Sequence, residues 1–310
     1  MCYSAQIRAE YKRFVRLFGG ELSIRAFSEL YFERQSDPKI RIPKAVDAMF
    51  LHPQTDEERG VKALIDAFDA GQATRLEQEL FKQRKRLADA ERTLRTKATK
   101  KAADDQRIAT AKIEQTRGKL ADLSRIEPEA RDGRFFPGGY VPVMVWEDGQ
   151  RVVKPMRYLC RPAGKPASND LKCPGCYNCR LDSLEGYWKG QFGTTHGVIV
   201  VNAFYENVDR DGKNVVLEFR PRPEQDMLVA CLWSCWTPPP GSEEPDLLSF
   251  AAITREPPSE VAAAGHDRCI IPIKPENIDA WLKPDRSNLA AQYAILDDRE
   301  RPYYEHQLAA

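Results

Sequence analysis

Hydrophobic positions in the first part of the chain recur at helical spacing. Tyr11, Phe14, Val15 and Leu17 fall on one face, a Gly19-Gly20 break follows, and Ile24, Phe27, Leu30 and Tyr31 repeat the pattern, so residues 5–34 read as two short core-facing helices. Asp37-Pro38 and Ile42-Pro43 stop it, and a further helical stretch over 57–70 leads into a different texture. From 73 to 123 there is no proline, and Leu80, Leu87 and Leu94 recur with a seven-residue step that Ile108 resumes. One uninterrupted helix there would run about 75 Å and strand the flanking chain at its two ends. An antiparallel hairpin turning near 98–105 is therefore expected.

After Arg131 the pattern shortens. Apolar runs at 140–146, 156–160, 198–204, 215–219, 227–233, 248–254 and 269–273 are punctuated by Pro and Gly. Such runs, with few strong helices between them, predict an α+β fold: a curled antiparallel sheet or barrel with flanking helices. A short helix over 275–282 closes it, and the tail from Lys283 reads as polar. Residues 1–55 and 131–310 are expected to form one domain, with 56–130 as an inserted helical hairpin.

Charge changes this picture only when it is resolved along the chain. The total of 47 Lys+Arg against 46 Asp+Glu leaves +1, which alone argues against a nucleic-acid partner. Yet 81–120 holds 13 basic and 5 acidic residues, a net of +8 that the remainder, mildly acidic, offsets. That face is either a solvated helical surface or an arm that tracks DNA or docks a partner. No apolar run approaches the ~18 residues of a membrane span, and the N-terminus lacks a signal-like apolar stretch, so a cytoplasmic protein is expected. Eight cysteines in such a chain are expected to be mostly free thiols.

Four features could carry chemistry. Cys2 follows the initiator Met, whose removal would leave an α-amine (pKa roughly 7.7–8.0) beside a thiol (roughly 8.5). A 1,2-aminothiol traps aldehydes: the amine condenses to an imine, and the thiol closes a thiazolidine ring. The others are the segment from Cys173 through Asn178 to Arg180, the Phe204-Tyr-Glu-Asn207 strand end bearing Glu206, and Gly265-His-Asp-Arg268. His266, flanked by Asp267 and Arg268, is the best acid/base candidate among four histidines. Cys173, Cys176 and Cys179 have ligand-like spacing, and with Cys231 and Cys235 a zinc site is conceivable. However, Cys179 adjoins Asn178 and no second knuckle pair follows, so free thiols are favoured over zinc, and no cofactor is expected.

The Met-Cys start, Asn-x-Arg, Phe-Tyr-Glu after an apolar strand, and His-Asp-Arg before another, in that order, resemble the SRAP family (SOS response-associated peptidases). The resemblance covers 1 to about 35 and about 131 to 282, and omits the basic hairpin. It implies a peptidase- or lyase-like sensor of abasic sites in single-stranded DNA, in which Cys2 captures the ring-opened aldehyde as a DNA–protein crosslink. Asn178 would orient the adduct, Glu206 would act as general acid/base, and His266 would assist imine formation and crosslink reversal. Arg180 and Arg268 would bind flanking phosphates. The family start Cys-Gly-Arg is here Cys2-Tyr3-Ser4, so one phosphate-binding arginine is missing, and Tyr3 either stacks on a base or packs inward. A monomer associated with the nucleoid during DNA damage is implied, with a replication or repair protein on the helical insert and no membrane partner. Two other classes compete: a non-catalytic nucleic-acid-binding adaptor working through the hairpin, and an N-terminal-nucleophile hydrolase, whose usual Cys-Gly-Ile start is absent.

Overall fold

The computed structural model describes residues 3–8, 16–242 and 244–309. The first helix expected at the N-terminus falls largely on Tyr11, Phe14 and Val15, which lie outside the described residues. What precedes it is a strand, β1 (Ser4–Gln6), rather than a helix start. A two-residue strand β2 (Glu21–Leu22) then leads into α1 (Ile24–Ser36), where the Ser23 side chain caps the Ala26 N–H. The helix buries Phe27, Leu30 and Tyr31, with Phe27 and Tyr31 edge-on to Phe50. The short α2 (Lys44–Asp47) supplies Asp47 to the Tyr31 hydroxyl and to the buried Arg34.

The hairpin is present. α3 (Asp56–Thr96) and α4 (Lys100–Ser124) run back to back, and the turn at 97–99 lies slightly ahead of the expected one. Thr55 and Thr99 each cap a helix start through a side-chain oxygen, and the Thr99 cap lets α4 begin at a turn with no Gly or Pro. The seam in α3 runs through Leu76, Leu80, Gln83, Leu87, Ala90 and Leu94; in α4 its buried positions are Ala102, Ala109, Ile113 and Thr116, rather than Ile108. Small residues at this seam let the helices approach closely. The hairpin is rooted by Arg125, which pairs with Asp122, Glu129 and Asp132, and by the Lys44 ammonium on the Asp122 carbonyl.

The remaining elements are β3 (Arg134–Phe135), β4 (Tyr140–Glu147), β5 (Gln150–Tyr158), α5 (Asn169–Lys172), β6 (Asn178–Arg180), β7 (His196–Val201), β8 (Ala203–Arg210), β9 (Lys213–Arg222), β10 (Met227–Trp236), β11 (Leu247–Arg255), α6 (Ser259–Ala263), β12 (Cys269–Ile270), β13 (Pro272–Ile273), α7 (Ile278–Leu282), α8 (Leu289–Asp297) and β14 (Tyr303–Leu308). Strands β5, β4, β7, β10 and β11 pair in turn, and β11 returns to β5 in parallel through Ser249↔Arg157 and Phe250↔Tyr158, so the ring closes. A second sheet, ordered β14-β9-β8-β1-β3, packs beside it. Because the barrel is covered on its outside as well, β7 is buried at every position, and after the buried His196 and Gly197 its residues 198–201 read as an unbroken apolar run. The tail is not merely polar: α8 buries Gln292, Ile295 and Leu296, and β14 extends the second sheet.

No residue from 66 to 134 enters the main apolar core, whereas Val61 and Ile65 at the base of α3 do, with Leu64 packed against it. Excising 77–114 and joining the two helices with a short glycine-rich turn, across a helix spacing of about 8–10 Å, should leave the β domain folded with its Tm within about 5 °C of the parent. Loss of a cooperative thermal transition in that variant would show instead that the distal hairpin is part of the folding unit.

Candidate functional site

Register places the key carboxyl. β1 pairs antiparallel with β8 as Ser4↔Tyr205, Ala5↔Phe204 and Gln6↔Ala203, so Tyr3 falls opposite Glu206. Glu206 is fully buried. The Tyr3 backbone N–H donates to its carboxyl, and His266 Nε2 lies 3.2 Å from its Oε2. Burial drives the Glu206 pKa well above the ordinary carboxyl value and pulls His266 below the ordinary imidazole value, with the Arg268 carbonyl opposing the latter shift. Both shifts favour the uncharged forms. His266 Nδ1 sits 3.0 Å from the Arg268 carbonyl. In the tautomer that donates there, rather than the one that accepts the Arg268 N–H at 3.3 Å, Nε2 keeps its lone pair for a proton from Glu206. The pair is thus a buried acid facing a neutral base, an arrangement that can deliver or remove one proton without exposing a charge.

The loop that presents His266 depends on Gly265, whose φ of +99° lies in the left-handed region. Its N–H closes onto the Ala262 carbonyl at the end of α6, and the next N–H reaches the Val261 carbonyl, so the imidazole leaves the helix end toward β8.

Asn178 reaches the same region from another element. β6 lies parallel to β11 with Ala252↔Asn178 and Thr254↔Arg180, while β12 pairs with Thr254 through Ile270. Arg180 and Ile270 thus flank one β11 residue, about 10 Å apart at two strand spacings. Asn178 is buried, and neither its amide oxygen nor its amide nitrogen has a hydrogen-bond partner among the described residues. A buried amide left so is costly and marks a place where a further polar group is wanted. Arg180 is exposed and forked onto Asp182 at 3.1 and 2.5 Å, and Arg268 touches the Asp267 carbonyl at 3.2 Å. Cys2 lies outside the described residues.

One residue escaped sequence reasoning. Arg134 Nε donates to Ser4 Oγ at 3.2 Å, and its guanidinium lies 3.9 Å above the Tyr205 ring and 4.9 Å from that of Phe136. It stands beside the position where an arginine had been expected and a serine is found. Tyr3 is 39% exposed and meets Phe136 edge-on at 5.7 Å, so its ring lies on the surface rather than in the core.

The cysteine expectation is corrected in part. Cys173 and Cys176 form a disulfide across Pro-Gly, in the turn that ends with the Asn178 N–H on the Gly175 carbonyl. Cys160, Cys179, Cys231, Cys235 and Cys269 are free thiols, and burial pushes Cys160 up to about 12. Among the described residues no group of three or more His, Cys, Asp or Glu could hold a metal ion. No described helix is long and apolar enough to cross a membrane.

Holding Glu206 protonated has a sign that can be read from stability. Its folded pKa is raised, so its contribution is complete below the unfolded value of about 4.5 and is lost as pH rises toward the folded value. Glu206→Gln should therefore be more thermostable than the parent at pH 7, by ~2–6 °C, with the difference shrinking to near zero by pH 4.5. Thermal melts across that range check this; a difference that does not change with pH would mean the carboxyl is ionised in the fold.

Residues 95–308 match the SRAP family, SOS response associated peptidase. Searched against curated proteins, the chain matches none. Among solved structures it is similar to a protein from Bordetella bronchiseptica at 17% identity and TM-score 0.46, covering 60% of this chain and 90% of that one. It is also similar to a protein from Bacteroides thetaiotaomicron (12% identity, TM-score 0.47, 57% and 78% of the two chains) and to a phage-related protein from B. bronchiseptica (19%, 0.43, 60% and 84%). With the family match spanning more than half of its length, the chain belongs to the SRAP family of DNA-damage (SOS) response proteins.

Proposed function

We propose that this protein captures abasic sites in single-stranded DNA covalently through Cys2, once Met1 has been removed. The observation that carries the reading is the Tyr3 N–H on the buried Glu206 carboxyl beside His266. Tyr3 is the residue joined to Cys2, so in this reading the nucleophile is one peptide bond from the residue that reaches the proton-transfer pair. The freed α-amine adds to the aldehyde of the ring-opened sugar. Glu206 gives the proton with which the carbinolamine oxygen leaves as water, and its carboxylate takes back the nitrogen proton of the resulting iminium, so that a neutral imine forms and the acid is restored. The Cys2 sulfur then adds to the imine carbon while its proton passes to the nitrogen, closing the thiazolidine. Reversal runs the same steps backwards, with His266 and Glu206 moving the proton.

Asn178 supplies the unsatisfied amide that orients the adduct. Arg180 and Arg268 contact phosphates on either side of the lesion, and Arg134 provides the cation that Ser4 does not. We assign 56–130 as an insert whose unpaired lysines and arginines add phosphate contacts or dock a replication or repair protein. The chain works as a monomer, in the cytoplasm and on the nucleoid.

An oligonucleotide with one abasic site should give a slow band on a denaturing gel with the Met-processed protein, and none with Cys2→Ala or an intact strand. Verified Met removal without a band sinks the proposal. Glu206→Gln should slow band formation by ~10²–10⁴-fold. Shortening the hairpin should leave the band but flatten the dependence of capture on salt, because fewer released counterions accompany binding. An unchanged slope would make the basic hairpin a solvated surface only.

A further inference from the structure

A separate polar cavity opens where the end of β11, β12 and the segment ahead of β14 meet. It measures about 330 Å³ and is bounded by Arg255, Cys269, Arg299, Arg301, Tyr303 and Tyr304 among others. Two of its arginines are engaged. Arg255 pairs with Asp297 at 3.0 Å, and Arg301 donates to the Asp297 carbonyl at 3.0 Å. Arg299 has no ion pair among the described residues, and its Nη1 is buried without a hydrogen bond. Burial acts on it first, then the charges of Arg255 and Arg301, all opposing its protonated form ahead of the favourable Asp297.

Glu256, Glu260 and Glu300 also border the cavity, and Glu260 already accepts the Tyr304 N–H at 3.1 Å. A half-buried guanidinium pressed by two others and left unpaired is a destabilising arrangement that an anion would complete.

We propose that this cavity binds the phosphate of a nucleotide, with the Arg299 fork as its principal donor and Arg255 and Arg301 completing the charge. A guanidinium fork matches two phosphate oxygens at once. The volume lies at the lower end of small-molecule sites, roughly 300–1,000 Å³, and exceeds the needs of inorganic phosphate. Tyr303, 59% exposed at the rim, offers a ring face to a base. The phosphate belongs either to a free nucleotide or to one nucleotide of a strand. The site does not depend on the abasic-site reading, because neither Cys2 nor an aldehyde takes part.

The test uses the full-length protein, with deoxyadenosine monophosphate, inorganic phosphate and an intact ten-nucleotide strand as probes, against chloride at matched ionic strength. Titration calorimetry should show the parent binding the mononucleotide or the strand, and Arg299→Gln weakening that binding by ~10–100-fold, the worth of a charged hydrogen bond. The Tm rise that the probe gives the parent should vanish in the variant, although the unliganded variant melts no lower than the parent. A loss confined to the mononucleotide assigns a free nucleotide, and a loss confined to the strand assigns a strand phosphate. Arg301→Gln gives the same readout in milder form should Arg299→Gln fail to fold. Equal binding by parent and variant, or no probe acting on the parent beyond chloride, overturns the site.

Discussion

The parallel contact between β11 and β5 is the constraint on which the remainder rests. Two residue pairs, Ser249↔Arg157 and Phe250↔Tyr158, turn a meander into a closed ring. Closure is secured by side chains as much as by backbone. Tyr158 stacks on Phe250 at 5.2 Å and receives Phe135 and Tyr177 edge-on, and the Ser249 hydroxyl takes the Arg161 N–H. Once β11 is fixed, its far end is free to hold β6 on one edge and β12 on the other, so Asn178 and the His266 loop inherit their positions from the barrel.

Glu206 then illustrates what a barrel neighbour can do that a surface cannot. β1 adds one short strand to β8, and this covers a carboxyl that would otherwise be hydrated. Tyr3, just ahead of that strand, supplies the N–H that partly compensates the burial. Stability and the proposed chemistry pull in opposite directions at this residue: a glutamine would suit the fold better but could not give up the proton that the proposed reaction needs.

Much of the β domain was legible because a strand buried on both faces must be apolar throughout. The run at 198–204 nevertheless hides a boundary: it is two strands, β7 and β8, separated by Asn202, whose N–H turns to the Gln6 carbonyl. Residues 4–6 form too short a strand to show alternation, and α8 is masked by charged flanks. In the site, Glu206, His266 and Asn178 were nameable because each abuts an apolar strand in a short motif. Arg134 was not, since its partner Ser4 is 130 residues away and nothing local distinguishes it from a solvated arginine. The Arg299 cavity was invisible for the same reason, as three distant segments meet there.

The hairpin has a hydrodynamic consequence. A 41-residue helix rises about 60 Å, whereas a compact domain of the remaining residues has a radius of gyration of only about 17–18 Å. Because the Arg125 and Lys44 contacts pin its root, the hairpin tumbles with the body as one elongated particle. Gel filtration will then return an apparent mass above 35.3 kDa for a single chain. Counting subunits in this protein calls for light scattering or sedimentation equilibrium, which weigh the particle instead of measuring its drag.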